Sequence, residues 1–279
     1  MRIYRYRVGA NIYYGEQVAE DTLARCVRLS QASFELKRAG VEDALGEVEL
    51  LPPCAPSKIV CIGRNYTEHA RERGEEVPDK PLMFFKPPSC LLPHGGTIAL
   101  PGGSERVDFE GEIALVVSQR CKDVPRAQAY DYMLGVTAFN DVSARDWQSA
   151  DGQWSRAKGC DTFGPCGPWI DTSAAEALRV GAQMQGAFEA QTGNTSVDAE
   201  KQLPLTVTTY VNGEQRQHGS IGELAFGFAY LIEYVSSFFT LEAGDLIVTG
   251  TPAGVGPLKS GDEVVVELSS GPRLVNKVA

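Results

Sequence analysis

The segment Asp108-Phe-Glu-Gly-Glu-Ile-Ala-Leu-Val-Val117 combines three carboxylates with a run of apolar residues. Residues two apart on a β-strand share a face, so Asp108, Glu110 and Glu112 are predicted to point the same way. After Glu112 both faces of the strand become apolar, which is typical of a strand that enters a buried sheet. We therefore expect three carboxylates at the mouth of a buried strand.

A second apolar segment, residues 135–139, ends in Asn140-Asp141. Carboxylates that lie close together raise one another's pKa unless a cation lies between them. Carboxylate oxygens are the ligands that hard divalent cations prefer. Glu110, Glu112 and Asp141 could therefore hold an octahedral Mg²⁺ ion and leave its other positions to water and substrate. A frayed strand end that carries charges for solubility is the alternative interpretation.

Short apolar runs bounded by glycine or polar residues predict further strands. They cover residues 58–62, 112–117, 135–139, 245–249, 262–268 and 273–278. Residues 205–210 lead into Asn212-Gly213, the pair that a type I′ hairpin turn favours because both positions take φ > 0. Apolar residues at helical spacing predict one core helix over residues 222–239. Because strands outnumber helices without alternating with them, we expect an α+β fold with an antiparallel or mixed sheet, not a doubly wound one.

The first 50 residues are predicted to form a small separate unit. Residues 3–8 and 12–14 have a β-like pattern, and residues 19–44 could be helical in parts. The segment Leu51-Pro-Pro-Cys-Ala-Pro-Ser57 resembles a linker, because proline removes backbone donors and favours extended conformations. We expect an N-terminal domain over residues 1–52 and a catalytic domain over residues 53–279.

Composition excludes several classes of protein. The chain of 279 residues carries a net charge of −10, and its basic residues form no stripe that could follow a phosphate backbone, which argues against nucleic acid. The N-terminus lacks the apolar stretch of a signal peptide, and no run of apolar residues is long enough to span a membrane. We expect a cytoplasmic protein. Its seven cysteines include no CxxC pair, which favours reduced, buried thiols over a zinc site or disulfide framework.

His69 is the candidate general base. Asn65 and Glu68 have the spacing of a capping box at the start of a short helix, and Gly74 could end that helix. This helix has almost no apolar face, so we expect it to be a mobile lid over residues 68–80. His69 and Glu72 are three residues apart and would meet on one helix face, where the carboxylate could orient the imidazole. A solvated ion pair is the alternative, and the other two histidines, His94 and His218, are expected at the surface.

Two further segments could contact an anionic substrate. The sequence Val248-Thr-Gly-Thr-Pro-Ala-Gly-Val-Gly256 offers backbone amides and two hydroxyls after a strand, which suits a carboxylate, although a plain tight turn fits equally well. Lys158 lies in a segment that is expected to be buried, where its ammonium could bind an anionic substrate. An exposed lysine is the alternative.

Together these segments resemble the fumarylacetoacetate hydrolase family, particularly its bacterial, acylpyruvase-like branch. The resemblance runs from about Lys58 to the C-terminus and includes several motifs in order. They are Ile62-Gly-Arg-Asn-Tyr-Thr-Glu-His69, Phe84-Phe-Lys-Pro87, Phe109-Glu-Gly-Glu112, Asn140-Asp-Val-Ser-Ala-Arg-Asp-Trp-Gln148, Ala157-Lys-Gly-Cys-Asp-Thr-Phe-Gly-Pro165 and Leu246-Ile-Val-Thr-Gly-Thr-Pro-Ala-Gly-Val-Gly256.

The resemblance implies a mixed β-roll or β-sandwich with a small N-terminal domain, and a homodimer. It implies Mg²⁺ or Mn²⁺ held by Glu110, Glu112 and Asp141, with Asp108 outside the ligand set. His69 and Glu72 would form the catalytic dyad of the lid, and Lys158 would also be catalytic. The substrate-binding residues that it implies are Arg64, Tyr66, Lys86, Arg145, Gln148, Thr249, Gly250 and Thr251.

The expected function is hydrolysis of a carbon–carbon bond in a 2,4-dioxo acid, of the acylpyruvate or fumarylpyruvate type, through a metal-bound enolate. Oxaloacetate decarboxylation or tautomerisation, or isomerisation of 2-hydroxyhepta-2,4-diene-1,7-dioate, could use the same site. A non-catalytic protein stabilised by Ca²⁺ is an alternative from another class. His69 and Glu72 argue against it, because a structural metal site has no use for a base.

Overall fold

The computed structural model describes residues 1–72, 74, 76–192 and 203–279. Strands dominate this part of the chain. In chain order they are β1 (Arg2–Val8), β2 (Asn11–Ala19), β3 (Thr22–Arg28), β4 (Leu36–Ala44), β5 (Glu49–Leu50), β6 (Ile59–Gly63), β7 (Leu82–Lys86), β8 (Leu91–Leu92), β9 (Thr97–Ile98), β10 (Val107–Phe109), β11 (Gly111–Val117), β12 (Met133–Asn140), β13 (Ser143–Ala144), β14 (Gly164–Asp171), β15 (Thr206–Val211), β16 (Glu214–Ser220), β17 (Leu246–Val248), β18 (Gly256–Pro257), β19 (Glu263–Leu268) and β20 (Arg273–Val278).

The α-helices are α1 (Thr67–Glu72), α2 (Arg145–Ala150), α3 (Ser155–Gly159), α4 (Ser173–Thr192) and α5 (Phe228–Phe238), and 3₁₀ turns cover Leu45–Glu47, Pro88–Cys90, Arg126–Tyr132 and Ile221–Glu223. None of the helices in the described ranges is long and apolar enough to cross a membrane. The predicted α+β class is confirmed.

The described strands form three sheets. A 12-stranded sheet has the order β4-β3-β2-β1-β14-β12-β11-β17-β6-β7, with β5 beside β1 and β8 beside β14. A five-stranded sheet has the order β16-β15-β19-β20-β9, and a three-stranded sheet has the order β13-β10-β18. Most pairs are antiparallel, but β17 pairs with β6 in parallel, so the large sheet is mixed as predicted.

Strand β11 lies in the middle of the large sheet, and both of its faces are buried. Ile113, Leu115 and Val117 pack in one apolar cluster together with helix α5. Ala114 and Val116 pack in a second cluster on the opposite face. The apolar run after Glu112 therefore does form a strand that is buried on both sides.

The carboxylate-bearing segment is not one continuous strand. Asp108 belongs to β10, which pairs with β13 and β18, whereas β11 begins at Gly111 and pairs with β12 and β17. The chain thus changes sheets at Glu110. The prediction of a single strand with three carboxylates on one face is wrong at this point, because a sheet switch, not the alternation of one strand, determines where each carboxylate points.

The prediction of helix within residues 19–44 is also wrong. This segment forms β3 and β4, which continue the large sheet from β2. Leu23, Ala24 and Cys26 of β3 are buried, and Leu23 packs in a small apolar core with Tyr4 and Tyr6. Because β1 pairs with β14, the N-terminal strands are hydrogen-bonded to the rest of the sheet. The domain boundary near residue 52 stays a prediction.

Other elements agree with the sequence in part. Asn212 and Gly213 adopt φ of 52° and 80° between β15 and β16, as the predicted hairpin turn requires. The predicted helix over residues 222–239 is shorter, because α5 begins only at Phe228 and Ile221–Glu223 forms a separate 3₁₀ turn, capped by Ser220. Strand β14 and helix α4 were not predicted.

Candidate metal centre and active site

Three buried carboxylates meet where β11 begins and β12 ends. The carboxylate oxygens that Glu110, Glu112 and Asp141 offer lie within 4.8 Å of one another. The backbone fixes this arrangement, because the Asp141 amide donates to the Glu110 carbonyl at 2.8 Å and the Glu110 amide donates to the Asn140 side chain at 2.9 Å. The predicted set of metal ligands is therefore brought together in the structure.

Buried cations contact two of these carboxylates. Lys158, on α3, donates from Nζ to Glu110 at 2.6 Å and to Asp141 at 2.8 Å. Arg145, at the start of α2, donates to Glu110 and, at 2.9 Å, to Asp108. Although burial opposes its ionisation, Arg145 and Lys158 hold the pKa of Glu110 below its ordinary value.

Glu112 has a different environment. Its carboxylate accepts the backbone amide of Gly250, and no lysine or arginine side chain among the described residues contacts it. Burial and the neighbouring charges of Asp141 and Glu110 raise the pKa of Glu112 well above its ordinary value. Glu112 is thus the member of the cluster that, among the described residues, accepts no hydrogen bond from a side-chain cation.

The donor set is the test of whether a divalent cation fits. Asp108 is paired with Arg106 and Arg145, whereas Glu112 lies beside two further carboxylates and accepts only a backbone amide. The donor atoms that the cluster offers are all carboxylate oxygens, which suit Mg²⁺ or Mn²⁺. A cation beside Glu112 would offset the repulsion from Asp141 and Glu110, so the residues present fit the metal that the sequence implies.

The predicted dyad is also assembled. Nδ1 of His69 lies 3.4 Å from Oε2 of Glu72, with the imidazole buried and the carboxylate 40% exposed. Glu72 also accepts the amide of Gly254, at 3.1 Å from Oε2. Helix α1 buries His69 and Ala70 although it has little apolar surface. Residues 73 and 75 of the predicted lid lie outside the described residues, and its mobility stays a prediction.

Asn65 does not cap this helix. Helix α1 begins at Thr67, and the Asn65 side chain instead donates to the carbonyls of Phe226 and Thr249 and accepts the Phe226 amide. The predicted capping box is therefore wrong, because these tertiary contacts occupy both ends of the amide. Asn65 ties the start of the lid segment to two neighbouring loops.

The three carboxylates, His69 and the cations Arg64, Arg145 and Lys158 line one cavity of about 210 Å³, whereas Glu72, the predicted partner of His69, does not line it. Its predicted members are Arg64, His69, Glu110, Glu112, Asp141, Arg145, Gln148, Lys158 and Thr251. Arg64 has a left-handed backbone, with φ of 58°, which is unusual for a residue other than glycine. Arg145 donates to Oε1 of Gln148 at 2.9 Å and so orients this amide.

Four residues predicted to bind substrate do not line the cavity, and their contacts give the reason. Lys86 is buried behind Asp141 and donates to its carboxylate at 2.6 Å. Tyr66 is buried, and burial raises the pKa of its hydroxyl. Thr249 donates from its hydroxyl to the Ile113 carbonyl. The Gly250 amide is used by Glu112.

The loop after β17 is thus turned toward β11. Even Thr251, which reaches the cavity, donates its hydroxyl to the Gly111 carbonyl at 2.9 Å. The prediction that this loop grips a substrate carboxylate through its hydroxyls and through the Gly250 amide is not supported, because protein groups already use those donors. The loop holds the strand that carries Glu112.

Aromatic residues form a wall of the cavity that the residue patterns did not predict. Phe84 and Trp154 make an edge-to-face contact with centroids 5.1 Å apart. Nζ of Lys158 lies 5.1 Å from the centroid of Phe84. Phe84 belongs to the motif Phe84-Phe-Lys-Pro87, whereas nothing in the local sequence indicates that Trp154 would lie at the site.

The other two histidines lie outside this cavity. His218 is exposed on β16, as expected. His94 is half-buried and accepts the Val275 amide on Nδ1, and burial lowers the pKa of its imidazole.

Comparisons with known proteins agree with the sequence resemblance. The family model described as "Fumarylacetoacetate (FAA) hydrolase C-terminal" matches residues 58–279. The chain is similar to a protein of Arabidopsis thaliana named oxaloacetate tautomerase FAHD1, mitochondrial, with 38% identity over 217 residues, or 76% of this chain and 86% of that protein.

Two solved structures have similar folds. One is 2-hydroxyhepta-2,4-diene-1,7-dioate isomerase from Mycobacterium marinum, with a TM-score of 0.80 and 36% identity, covering 100% of this chain and 98% of that chain. The other is fumarylpyruvate hydrolase from Pseudomonas aeruginosa in complex with Mn²⁺ and pyruvate, with a TM-score of 0.68 and 27% identity, covering 83% and 91%.

Proposed function

This chain belongs to the fumarylacetoacetate hydrolase family, and from that premise we propose that it is a Mg²⁺- or Mn²⁺-dependent enzyme that hydrolyses a carbon–carbon bond of a 2,4-dioxo acid. The substrate would be of the acylpyruvate or fumarylpyruvate type. The observation that carries this proposal is that His69, whose imidazole faces Glu72, lines the same cavity as the three carboxylates of Glu110, Glu112 and Asp141.

The carboxylates would hold the metal, and the cations beside them would hold the substrate's negative charge. A bound divalent ion would supply positive charge next to the carboxylate and 2-oxo oxygens of the substrate. Lys158 adds a buried ammonium on the same wall. Gln148, oriented by Arg145, keeps its amide nitrogen for a substrate oxygen. These groups would favour the enolate, because charge stabilisation is strong where water is excluded.

His69 would act as the base. With its Nδ1 facing Glu72, the tautomer that carries a proton on Nδ1 leaves Nε2 to take a proton from water. The resulting hydroxide adds to the distal C4 carbonyl. The C3–C4 bond then breaks with its electron pair moving to C3, which gives a carboxylic acid and the enolate of pyruvate. Protonation at C3 completes the reaction.

A second candidate function is tautomerisation or decarboxylation of oxaloacetate. It is favoured by the 38% identity to the Arabidopsis protein named as an oxaloacetate tautomerase. These reactions need the same enolate stabilisation but no attack by water. Isomerisation of 2-hydroxyhepta-2,4-diene-1,7-dioate is a related candidate, supported by the similarity to the isomerase from Mycobacterium marinum.

A substrate panel tests the proposal. Purified protein with added Mn²⁺ is given an acylpyruvate, fumarylpyruvate, oxaloacetate and 2-hydroxyhepta-2,4-diene-1,7-dioate, and products are followed by proton nuclear magnetic resonance. We expect pyruvate and a carboxylic acid from a 2,4-dioxo acid, and none with Glu110→Gln. Turnover of oxaloacetate alone would favour the second candidate, and no turnover of any of the four would contradict both.

We also propose that the protein is a homodimer that takes a small 2-oxo acid as its substrate. The family resemblance supports the dimer, and the small charged cavity supports the substrate class. Light scattering after size-exclusion chromatography measures the mass directly, and a mass near the 30.2 kDa of one chain would contradict the dimer.

A further inference from the structure

Gln217 is a buried glutamine that no motif in the sequence marks. It lies on β16, in the five-stranded sheet, and is 1% exposed. Its carbonyl oxygen accepts the Gly111 amide at 3.0 Å. Its nitrogen donates to the Thr251 hydroxyl at 2.8 Å and to the Pro252 carbonyl at 2.7 Å. One side chain therefore joins three segments of the protein.

The first contact fixes the carboxylate cluster. Gly111 separates Glu110 from Glu112, so its backbone determines how the two carboxylates are presented. Its amide is held by Gln217 and its carbonyl by Thr251. A Cβ atom at Gly111 would lie 1.9 Å from the Thr209 hydroxyl, so this close approach of the two sheets requires glycine.

The other contacts fix the loop that holds the dyad. Thr251 and Pro252 lead to Gly254, whose amide donates to Glu72. Gly254 packs directly on the backbone of Arg216, the neighbour of Gln217, since a Cβ atom there would lie 2.1 Å from the Arg216 carbonyl oxygen. The loop whose amide contacts Glu72 is thus packed against β16.

We propose that Gln217 is a positioning residue that links the carboxylate cluster to the helix that carries His69. It acts through Gly111 on one side and through the 251–254 loop on the other. Without its amide, the buried Gly111 amide and Pro252 carbonyl would lose their partners, and buried polar groups left in this way tend to move toward other partners or water. The catalytic meaning of this link rests on the proposed function, but the structural link does not.

The test uses one matched control. Gln217→Met keeps the length of the side chain and removes its polar atoms, and Thr251→Val removes the hydroxyl between Gln217 and Gly111. Asn276→Leu is the control, because Asn276 is equally buried in the same sheet and donates to the carbonyls of Pro93 and Gly96, away from the site. All three variants delete buried hydrogen bonds, so a loss of stability alone does not distinguish them.

Hydrogen exchange of the metal-free protein is measured first. We expect faster exchange in peptides that cover α1 and the 251–254 loop in Gln217→Met, and not in Asn276→Leu. Calorimetric titration with Mn²⁺ is measured second, with affinity expected to fall about 10–100-fold in Gln217→Met and not in Asn276→Leu, the range typical of residues that orient metal ligands. If Gln217→Met does not fold, Thr251→Val is put through the same two measurements.

Exchange in α1 at the wild-type rate, or Mn²⁺ affinity at the wild-type value, would overturn the proposal. Equal changes of hydrogen exchange and Mn²⁺ affinity in Asn276→Leu would also overturn it. If the wild-type protein itself does not bind Mn²⁺, the proposed function fails, and the exchange of α1 still decides whether Gln217 links the two parts of the site.

Discussion

Nζ of Lys158 lies 2.6 Å from Oε2 of Glu110, in an ion pair that is almost completely buried. The same ammonium contacts Asp141 at 2.8 Å. Although burial favours the neutral amine, Asp141 and Glu110 raise the pKa of Lys158 above its ordinary value, so it remains charged. Lys158 therefore both steadies two of the proposed metal ligands and repels a second cation near them.

This double role predicts opposite effects on binding and turnover. Lys158→Met should leave Mn²⁺ affinity unchanged or higher, because the repulsion between two cations is removed. Turnover should fall about 10²–10³-fold, as when a donor to a developing oxyanion is lost. Calorimetry and steady-state kinetics measure the two effects, with Lys122→Met at an exposed ion pair as the control. A large loss of Mn²⁺ affinity would show that Lys158 mainly holds the ligands in place.

Glu112 should make the metal-free protein less stable as the pH rises. The pKa of Glu112 is raised in the folded state, so folding opposes its ionisation. The destabilisation therefore begins above the ordinary glutamate pKa of about 4.3 and grows as the pH rises toward the pKa of the folded state. Glu112→Gln should remove this dependence and raise the melting temperature of the metal-free protein at neutral pH, by about 2–4 °C for each kcal/mol of repulsion removed. It should also abolish Mn²⁺ binding. An unchanged melting temperature would contradict the repulsion between Glu112 and the carboxylates of Asp141 and Glu110.

Asp108 is the matched contrast to Glu112. It is equally buried but lies between Arg106 and Arg145, which balance its charge. Asp108→Asn should therefore lower the melting temperature and keep most of the Mn²⁺ affinity. Equal losses of affinity in Asp108→Asn and Glu112→Gln would mean that the assignment of the ligands is wrong.

His69 should matter more for hydrolysis than for decarboxylation. His69→Ala should lower hydrolysis of a 2,4-dioxo acid by about 10²–10⁴-fold, the contribution typical of a general base. Decarboxylation of oxaloacetate needs no attacking water and should fall less. Glu72→Ala should cause a smaller loss, and His218→Ala, on the exposed hairpin, should cause none. Parallel loss of both reactions in His69→Ala would assign His69 to lid closure or enolate protonation instead.

The sequence predicted best those features that arise within one segment. The burial of residues 113–117 and the turn at Asn212-Gly213 follow from local periodicity and from backbone conformation, and both are confirmed. Residues 36–44 were not predicted as a strand. Strand β4 lies at the edge of the sheet and is mostly exposed, so its sequence lacks the apolar alternation that marks a strand.

The contacts within the site were harder to predict because they join distant segments. Lys86 and Asp141 are 55 residues apart in the chain, and nothing near Lys86 indicates that it would be buried against that carboxylate. The hydroxyls of Thr249 and Thr251 are chemically suited to a substrate, but both donate to carbonyls of β11. Local pattern shows which groups are chemically able to bind, whereas tertiary packing decides which of them are still available.

Glu110, Glu112 and Asp141 are proposed to hold a divalent cation on which turnover depends. The most direct measurement is the turnover of the best substrate of the panel by protein treated with EDTA and dialysed, before and after Mn²⁺ or Mg²⁺ is added back. The account predicts that turnover disappears with the metal and returns with it, and that Glu112→Gln does not recover. Full turnover by the metal-free protein would contradict it.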